Sequence, residues 1–203
     1  ISQTTAYAFR DSEHAANLFA LKELGPIYTR LTNPTTDVLE QRYAALEGGA
    51  AAICTSSGQA ASFFAIANVA EAGDNVLISD KLYGGSVTLL TYTMKRFGIS
   101  AKVFKSDDAS DLESLIDDKT KAIYFESLSN PQIAIPDVEK VVEIAKKHGV
   151  LTICDNTVAS AALFNPIKWG VDVVVHSTSK YTNGQGTAIG GIVVERDGLA
   201  EFF

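Results

Sequence analysis

Apolar and polar residues follow two different periods along most of the chain. From about residue 35 onward, short and nearly continuous apolar runs, typical of buried strands, are separated by stretches in which apolar residues recur at helical spacing. This pattern predicts helices at 35–46, 56–70, 86–97, 110–117 and 136–148. It predicts strands at 51–54, 76–79, 101–104, 122–125, 151–154, 171–175 and 188–194.

The order of these elements predicts an α/β fold. Strands that are apolar at almost every position are buried on both faces, so the alternation indicates a mostly parallel sheet with helices on both faces. Ligand sites in such sheets lie beyond the carboxyl ends of the strands. The first 34 residues are polar and lack a long periodic segment. We therefore predict an extended N-terminal arm over 1–34 and one domain over 35–203.

Composition narrows the class of protein. With 46% apolar and 20% charged residues among 203, the chain has the composition of a folded globular protein. Its net charge of −7 argues against nucleic acid as a partner. No apolar run approaches the roughly 20 residues of a membrane span, and no secretory leader pattern occurs, so we expect no membrane association. Cys54 and Cys154 show no metal-ligand spacing, so we expect no metal. Each lies in an apolar run, so we expect two buried thiols, which fit a reducing cytoplasm.

The first strand runs into a segment suited to phosphate. Residues 55–60, Thr-Ser-Ser-Gly-Gln-Ala, form a small-residue turn that opens a helix, where free N–H groups and the helix dipole favour an anion. An ordinary helix N-cap is the alternative interpretation. Neither the glycine fingerprint of dinucleotide-binding enzymes nor a Walker loop is present, which disfavours an NAD-dependent oxidoreductase.

Two further strands end in ionisable residues. Asp155 follows strand 151–154, and a carboxylate there requires a cation, a metal or N–H donors, unless it only caps a turn. Lys180 follows strand 171–175 among hydroxyl residues and glycines. A lysine amine that is neutral near pH 7 forms Schiff bases with aldehydes, although a surface lysine is the simpler interpretation.

Together these three features predict one cofactor. A phosphate seat, a carboxylate and a lysine amine at the same edge of a parallel sheet match the phosphate, the pyridinium nitrogen and the aldehyde of pyridoxal phosphate. Tyr83, after strand 76–79, offers an aromatic face to the pyridine ring, and Asn130, after strand 122–125, offers a hydrogen bond to the ring hydroxyl. A core tyrosine and a turn asparagine are the alternatives.

These motifs resemble the Cys/Met-metabolism family of pyridoxal-phosphate enzymes, which have the aspartate aminotransferase fold. The run 176–181, His-Ser-Thr-Ser-Lys-Tyr, with Gly-Gln-Gly at 184–186, is similar to the lysine signature of the family. Further similar segments lie at 27–35, 46–49, 56–60 and 155–157, so the resemblance covers nearly the whole chain. Within the family, residues 3–7 and 11–19 are most similar to the O-acetylhomoserine sulfhydrylases.

The resemblance implies a role for each candidate site residue. It implies that Lys180 binds the cofactor covalently, that Asp155 contacts the pyridinium nitrogen, and that Tyr83 stacks on the ring and assists as an acid or base. The other implied cofactor-binding residues are Ser57, Gly58, Gln59, Asn130, Thr157, Ser177 and Ser179, together with Tyr28 and Arg30 reaching the phosphate in a neighbouring subunit. A homodimer or homotetramer with a shared active site is therefore implied.

The implied reaction is γ-replacement on O-acetyl-L-homoserine by a sulfur nucleophile, giving homocysteine and acetate in methionine and cysteine biosynthesis. Cystathionine γ-synthase and methionine or cystathionine γ-lyase, on the same fold, remain alternatives. A catalytically incomplete fragment is another, because the arginine that binds the substrate carboxylate in this family belongs to a C-terminal small domain. We expect that domain to lie outside these 203 residues.

Overall fold

One seven-stranded sheet organises the molecule. The structure, a computed structural model, describes residues 1–199; the last residues of the predicted domain, 200–203, lie outside the described part. The strands are β1 (Ala51–Thr55), β2 (Asn75–Ser79), β3 (Ser100–Phe104), β4 (Thr120–Glu126), β5 (Leu151–Asp155), β6 (Val173–His176) and β7 (Gly191–Glu195). Their order across the sheet is β1-β7-β6-β5-β4-β2-β3. In this sheet β7 runs in the direction opposite to the other six strands, so its pairs with β1 and β6 are antiparallel and the other pairs are parallel. The predicted mostly parallel α/β sheet is confirmed.

Helices connect the strands. The α-helices are α1 (Ser12–Phe19), α2 (Pro34–Glu47), α3 (Gly58–Ala67), α4 (Gly84–Thr88), α5 (Leu112–Leu115), α6 (Val138–His148) and α7 (Ser160–Leu163). Where one regular helix was predicted over 86–97, α4 continues into a π-helical turn, Leu89–Thr93, and a 3₁₀ turn, Met94–Phe97. A further 3₁₀ turn spans Pro166–Trp169.

The core lies on both faces of the sheet, because successive strand residues point to opposite sides. On one face, Leu77, Phe125 and Val174 pack with α6. On the other, Tyr124 and Val175 are among the residues that pack with α3. Burial of both faces explains why the strand sequences are apolar at nearly every position.

Helix α6 shows how local chemistry sets the ends of an element. The helix begins at Val138 and not at Pro136 as predicted, because the Asp137 side chain accepts a hydrogen bond from the Lys140 N–H (3.1 Å) and caps it. Its last residue is His148, and Gly149 follows as the C-cap with a φ of +64°, a left-handed conformation that favours glycine. The predicted end of this helix is confirmed.

The chain divides into two compact units, residues 1–42 and residues from Tyr43 onward. The N-terminal unit is more structured than a polar arm suggests. It contains α1, capped by the Asp11 carboxylate, which accepts from the His14 N–H (2.7 Å). An antiparallel β-bridge pairs Ala6 with Tyr28, on the other side of α1 in the chain. The sequence pattern missed α1 because eight residues give barely two helical turns.

Two other predictions concern exposure. Cys154 is buried, but Cys54 is only partly buried, since it lies on the edge strand β1; the prediction of two buried thiols is wrong for Cys54. Over residues 1–199, no helix has the length and apolar character needed to cross a membrane.

Candidate functional site

Ten of the twelve predicted site residues surround one cavity at the carboxyl ends of the strands. The cavity has a volume of about 270 Å³. Its predicted lining residues are Ser57, Gly58, Gln59, Tyr83, Asn130, Asp155, Thr157, Ser177, Ser179 and Lys180. The other two, Tyr28 and Arg30, belong to the N-terminal unit, where both side chains are exposed and the Arg30 guanidinium carbon lies 5.7 Å from the centre of the Tyr28 ring.

The start of α3 forms one wall of the cavity. The Ser57 hydroxyl oxygen accepts a hydrogen bond from the Ala60 N–H (3.1 Å), which leaves the N–H groups of Gly58 and Gln59 at the helix terminus for an anion. Gly58 lies against the loop after β6: a Cβ added there would be 2.6 Å from the Ser177 Cβ. Glycine is therefore required at 58 for this close approach.

Lys180 lies in a turn that follows β6. Its N–H donates to the Ser177 carbonyl (3.2 Å), its carbonyl accepts from the Gly184 N–H (2.8 Å), and its side chain is exposed. The Ser179 hydroxyl oxygen accepts from the Gly190 N–H (3.0 Å). The contact of the Ser179 hydroxyl with the cofactor phosphate stays a prediction.

Asp155 is held in place by neighbouring donors. Its Oδ1 accepts from the Thr157 N–H (2.9 Å), and its Oδ2 accepts from the Tyr124 hydroxyl (3.3 Å). Tyr124 is fully buried, and its hydroxyl also lies 2.9 Å from the Ser62 hydroxyl oxygen. Burial, and then the charge of Asp155, holds the pKa of Tyr124 well above its usual range, so this tyrosine is a neutral donor.

Glu126, which the sequence interpretation missed, is a second carboxylate in the cavity wall. It is the last residue of β4 and lies beside Asp155 in the sheet. Its Oε1 accepts from the Tyr83 N–H (2.7 Å) and its Oε2 from the Asn130 N–H (3.0 Å). Burial, reinforced by the charge of Asp155, raises its pKa to about 7. A carboxylate after a buried strand is the signal that identified Asp155, and it applies equally to Glu126.

Three buried polar side chains, those of Glu47, Asn156 and His176, are in contact through Glu47 next to the residues that line the cavity. Glu47, at the end of α2, places Oε1 2.5 Å from the His176 Nε2 and accepts from the Asn156 Nδ2 (3.0 Å). All three side chains are buried. Asn156 follows Asp155 and His176 precedes Ser177, so Glu47 joins the two strand ends that carry the site. The sequence motifs contained Glu47 and His176 but assigned them no role.

A larger concavity elsewhere on the sheet offers different chemistry. It has a volume of about 670 Å³ and runs along β1 and β7. Its lining is mostly apolar and includes Ile53, Phe64 and Val193, with Glu195 as the charged residue. It lacks the convergent polar groups of the smaller cavity, so we assign the functional site to the latter.

The donor set of the smaller cavity fits pyridoxal phosphate. The helix terminus at Gly58 suits the dianionic phosphate, the Asp155 carboxylate suits a protonated ring nitrogen, and the Lys180 amine suits an aldehyde. Tyr83, half-exposed, supplies an aromatic surface at the wall. The fold and the site together define a pyridoxal-phosphate-binding domain.

The chain belongs to the Cys/Met metabolism PLP-dependent enzyme family, whose sequence profile matches residues 1–201. It is 51% identical over 196 residues to the sulfhydrylase FUB7 of Fusarium oxysporum f. sp. lycopersici, covering 96% of this chain and 45% of that one. It is 49% identical over 193 residues to the O-acetyl-L-homoserine sulfhydrylase of Leptospira meyeri, covering 95% and 44%. The predicted family and cofactor are confirmed.

A solved structure agrees with this assignment. A crystal structure described as that of an O-acetylhomoserine (thiol)-lyase from Campylobacter jejuni has a TM-score of 0.96 and 57% sequence identity, covering all of this chain and 50% of that one. That protein carries a pyridoxyl-lysine phosphate residue. The chain spans about 45% of the length of the curated relatives that it matches.

Proposed function

We propose that the full-length protein catalyses γ-replacement on O-acetyl-L-homoserine. A sulfur nucleophile forms a bond to Cγ, the bond from Cγ to the ester oxygen breaks, and homocysteine and acetate are produced. The observation that carries this proposal is the single cavity formed by Lys180, Asp155, Tyr83 and the α3 terminus. The name of the Leptospira meyeri relative, an O-acetyl-L-homoserine sulfhydrylase at 49% identity, supports the choice of substrate. The name of the 51% identical relative, a sulfhydrylase, supports a sulfur nucleophile.

The proposal assigns the cofactor contacts to this chain. The N–H groups of Gly58 and Gln59, with the hydroxyls of Ser177 and Ser179, hold the phosphate, and Asp155 faces the ring nitrogen. Ser57, Asn130 and Thr157 complete the cofactor-binding set. Pyridoxal phosphate, when bound, supplies an electron sink that stabilises negative charge on substrate carbons.

The proton transfers belong to the protein. Lys180 would hold the cofactor aldehyde in the resting protein, and the substrate amine would displace it there. The freed Nζ amine would then take the proton from the substrate Cα and return a proton to the carbon chain. The Asp155 carboxylate, fixed by the Thr157 N–H and the Tyr124 hydroxyl, keeps a proton on the ring nitrogen. The Tyr83 hydroxyl assists as a second acid or base.

The proposal also covers assembly. The protein acts in the cytoplasm as a homodimer or homotetramer whose active sites are shared across a dimer. Tyr28 and Arg30, in the N-terminal unit, contact the cofactor phosphate of a neighbouring subunit. Their exposure and the bidentate geometry of a guanidinium support this assignment.

A product assay tests the proposed reaction. Full-length holoenzyme is supplied with O-acetylhomoserine and, in separate reactions, sulfide, cysteine or water alone as acceptor. We expect homocysteine and acetate in equal amounts with sulfide. If the main product is cystathionine formed from cysteine, the protein is a cystathionine γ-synthase. If 2-oxobutanoate forms without sulfide, the protein is a γ-lyase. Either result contradicts the proposed reaction with sulfide.

Substitution of the lysine tests the assigned catalytic residue. Among residues 1–199, Lys180 is the one lysine that lines the cavity. Lys180→Ala is therefore expected to lower turnover by at least about 10³-fold and to abolish the visible absorbance of covalently bound cofactor. Lys81→Ala is the control, because Lys81 instead pairs with Asp107. Retention of absorbance and turnover in Lys180→Ala contradicts the assignment.

A further inference from the structure

Glu126 connects two loops that line the cavity. The first loop follows β2 and presents Tyr83; the second follows β4 and presents Asn130. Each loop directs one backbone N–H at a different oxygen of the same carboxylate, at 2.7 and 3.0 Å. Within the described part of the chain, neither N–H has another acceptor.

This connection sets the position of the aromatic side chain. Tyr83 immediately precedes α4, so its N–H is outside the hydrogen-bond pattern of that helix. Its ring lies over the start of the helix, where a Cβ added at Gly85 would be 2.5 Å from Tyr83 Cε1. Half of the Tyr83 surface is exposed, and the hydrogen bond from its N–H to Glu126 anchors the backbone from which the ring projects.

We propose that Glu126 is a positioning residue of this site, which holds Tyr83 and Asn130 at the cofactor through their backbone N–H groups. The carboxylate has two acceptor oxygens, and both are used, one for each loop. One side chain therefore bridges the two loops. This inference rests on the proposed function, because it takes Tyr83 and Asn130 to be cofactor contacts.

Asp172 provides a matched comparison. It is also a buried carboxylate, with 6% of its surface exposed against 5% for Glu126. It accepts from the Thr152 N–H (2.8 Å) and from the Arg196 Nε (2.6 Å), so it too connects separate segments. However, Asp172 lies just before β6, at the amino end of that strand, whereas the cavity lies at the carboxyl ends of the strands. Loss of a carboxylate there weakens the fold without disturbing the Tyr83 and Asn130 loops.

The first measurement is made on full-length protein without cofactor. Hydrogen exchange at the Tyr83 and Asn130 amides is followed by mass spectrometry in the wild type, Glu126→Gln, Glu126→Asp and Asp172→Asn. A carboxamide has one acceptor oxygen, and aspartate is too short to reach both loops. We therefore expect at least one of the two amides to exchange about tenfold faster in either Glu126 variant, and neither to change in Asp172→Asn.

The second measurement is made on the holoenzyme. Visible circular dichroism per bound pyridoxal phosphate reports how rigidly the cofactor lies in its asymmetric site. We expect this signal to fall at least twofold and kcat to fall about tenfold in Glu126→Gln, with a smaller change in KM. Asp172→Asn is expected to keep the wild-type signal per bound cofactor, even where its thermal stability is lower.

The outcomes separate this inference from the proposed function. Unchanged exchange at both amides in both Glu126 variants overturns it, as does faster exchange with an unchanged cofactor signal. Equal effects of Glu126→Gln and Asp172→Asn on exchange and on the cofactor signal also overturn it, because they indicate general loosening of the fold. If the wild type makes no homocysteine but the exchange and dichroism results are as expected, the proposed reaction is wrong and the positioning role stands.

Discussion

At the residue scale, the two neighbouring carboxylates of the cavity have different environments. Asp155 accepts one N–H and one hydroxyl, whereas Glu126 accepts two backbone N–H groups and is more deeply buried. Burial of Glu126, together with the charge on Asp155, raises the pKa of Glu126 to about 7.

The raised pKa predicts how stability depends on pH. The folded, cofactor-free protein retains a proton on Glu126 up to about pH 7, whereas the unfolded chain loses it near the ordinary value of 4.5. Glu126 therefore stabilises the fold fully below pH 4.5, and this contribution is lost as pH rises through 7, by about 3 kcal/mol in total. Urea unfolding at pH 5 and pH 7.5 measures it.

Glu126→Gln is the matched variant for this measurement, because glutamine does not titrate. We expect the free energy of unfolding to fall more steeply with pH in the wild type than in Glu126→Gln. The difference between the two slopes isolates Glu126 from every other titrating group. Parallel pH profiles for the two proteins would show that the folded pKa of Glu126 is close to its ordinary value.

In the sequence, candidate site residues were selected where an ionisable residue follows an apolar run. Asp155, directly after its strand, and Lys180, a few residues after its strand, were selected in this way. The structure places both in the lining of one cavity, and their roles stay predictions. Glu126 also directly follows a predicted strand, but the sequence interpretation overlooked it. Its partners could not be predicted from the sequence, because they are backbone N–H groups, one of which lies 43 positions away. The Glu47–His176 pair, separated by 129 positions, likewise has no local pattern that predicts it.

At the element scale, the close approach of α3 to the loop after β6 makes Gly58 sensitive to substitution. In Gly58→Ala, the added Cβ would lie 2.6 Å from the Ser177 Cβ and 2.8 Å from its Cα, so backbone must move. We expect the free energy of unfolding of the cofactor-free protein to fall by about 1–3 kcal/mol. Chemical denaturation measures this change.

Gly84→Ala is the control, since Gly84 also begins a helix but a Cβ there meets no atom within 4 Å. Alanine at a compatible position restricts the unfolded chain, so we expect this variant to be neutral or slightly more stable. An equal loss of stability in the two variants would mean that loss of glycine, and not contact with Ser177, is responsible.

Elements differed in how well the sequence predicted them. All seven strands were predicted to within three residues at each end, because two-sided burial gives an unmistakable apolar run. The short helices α1 and α7 and the π-helical turn after α4 were missed or misdescribed. Their geometry depends on packing and caps rather than on a repeated apolar period.

At the scale of the whole molecule, the proposed sharing of active sites predicts complementation between inactive variants. Lys180→Ala removes a residue of one subunit's own cavity, and Arg30→Ala removes a residue proposed to serve the neighbouring cavity. In a mixed dimer, one of the two sites has both residues intact. Random mixing makes half of the dimers mixed, so about a quarter of wild-type activity is expected.

The assay requires unfolding and refolding the two variants together, and each variant refolded alone is the control. Recovery of about a quarter of the wild-type activity in the mixture supports an active site shared between two subunits. If the mixture has only the average activity of the separate variants, Tyr28 and Arg30 do not act on the neighbouring subunit. Sedimentation of each sample checks that dimers or tetramers have formed.

The reversed strand β7 has a consequence for biosynthesis. It pairs with β1 on one side and β6 on the other, although it comes after all six other strands of this sheet in chain order. Until residues 191–195 are translated, β1 has no partner in the sheet, and Thr55, which leads into the phosphate-binding turn, is unanchored. A nascent chain that stalls before this point therefore exposes an unpaired strand edge, where we expect chaperone binding or aggregation, and gains the ability to capture cofactor only afterwards.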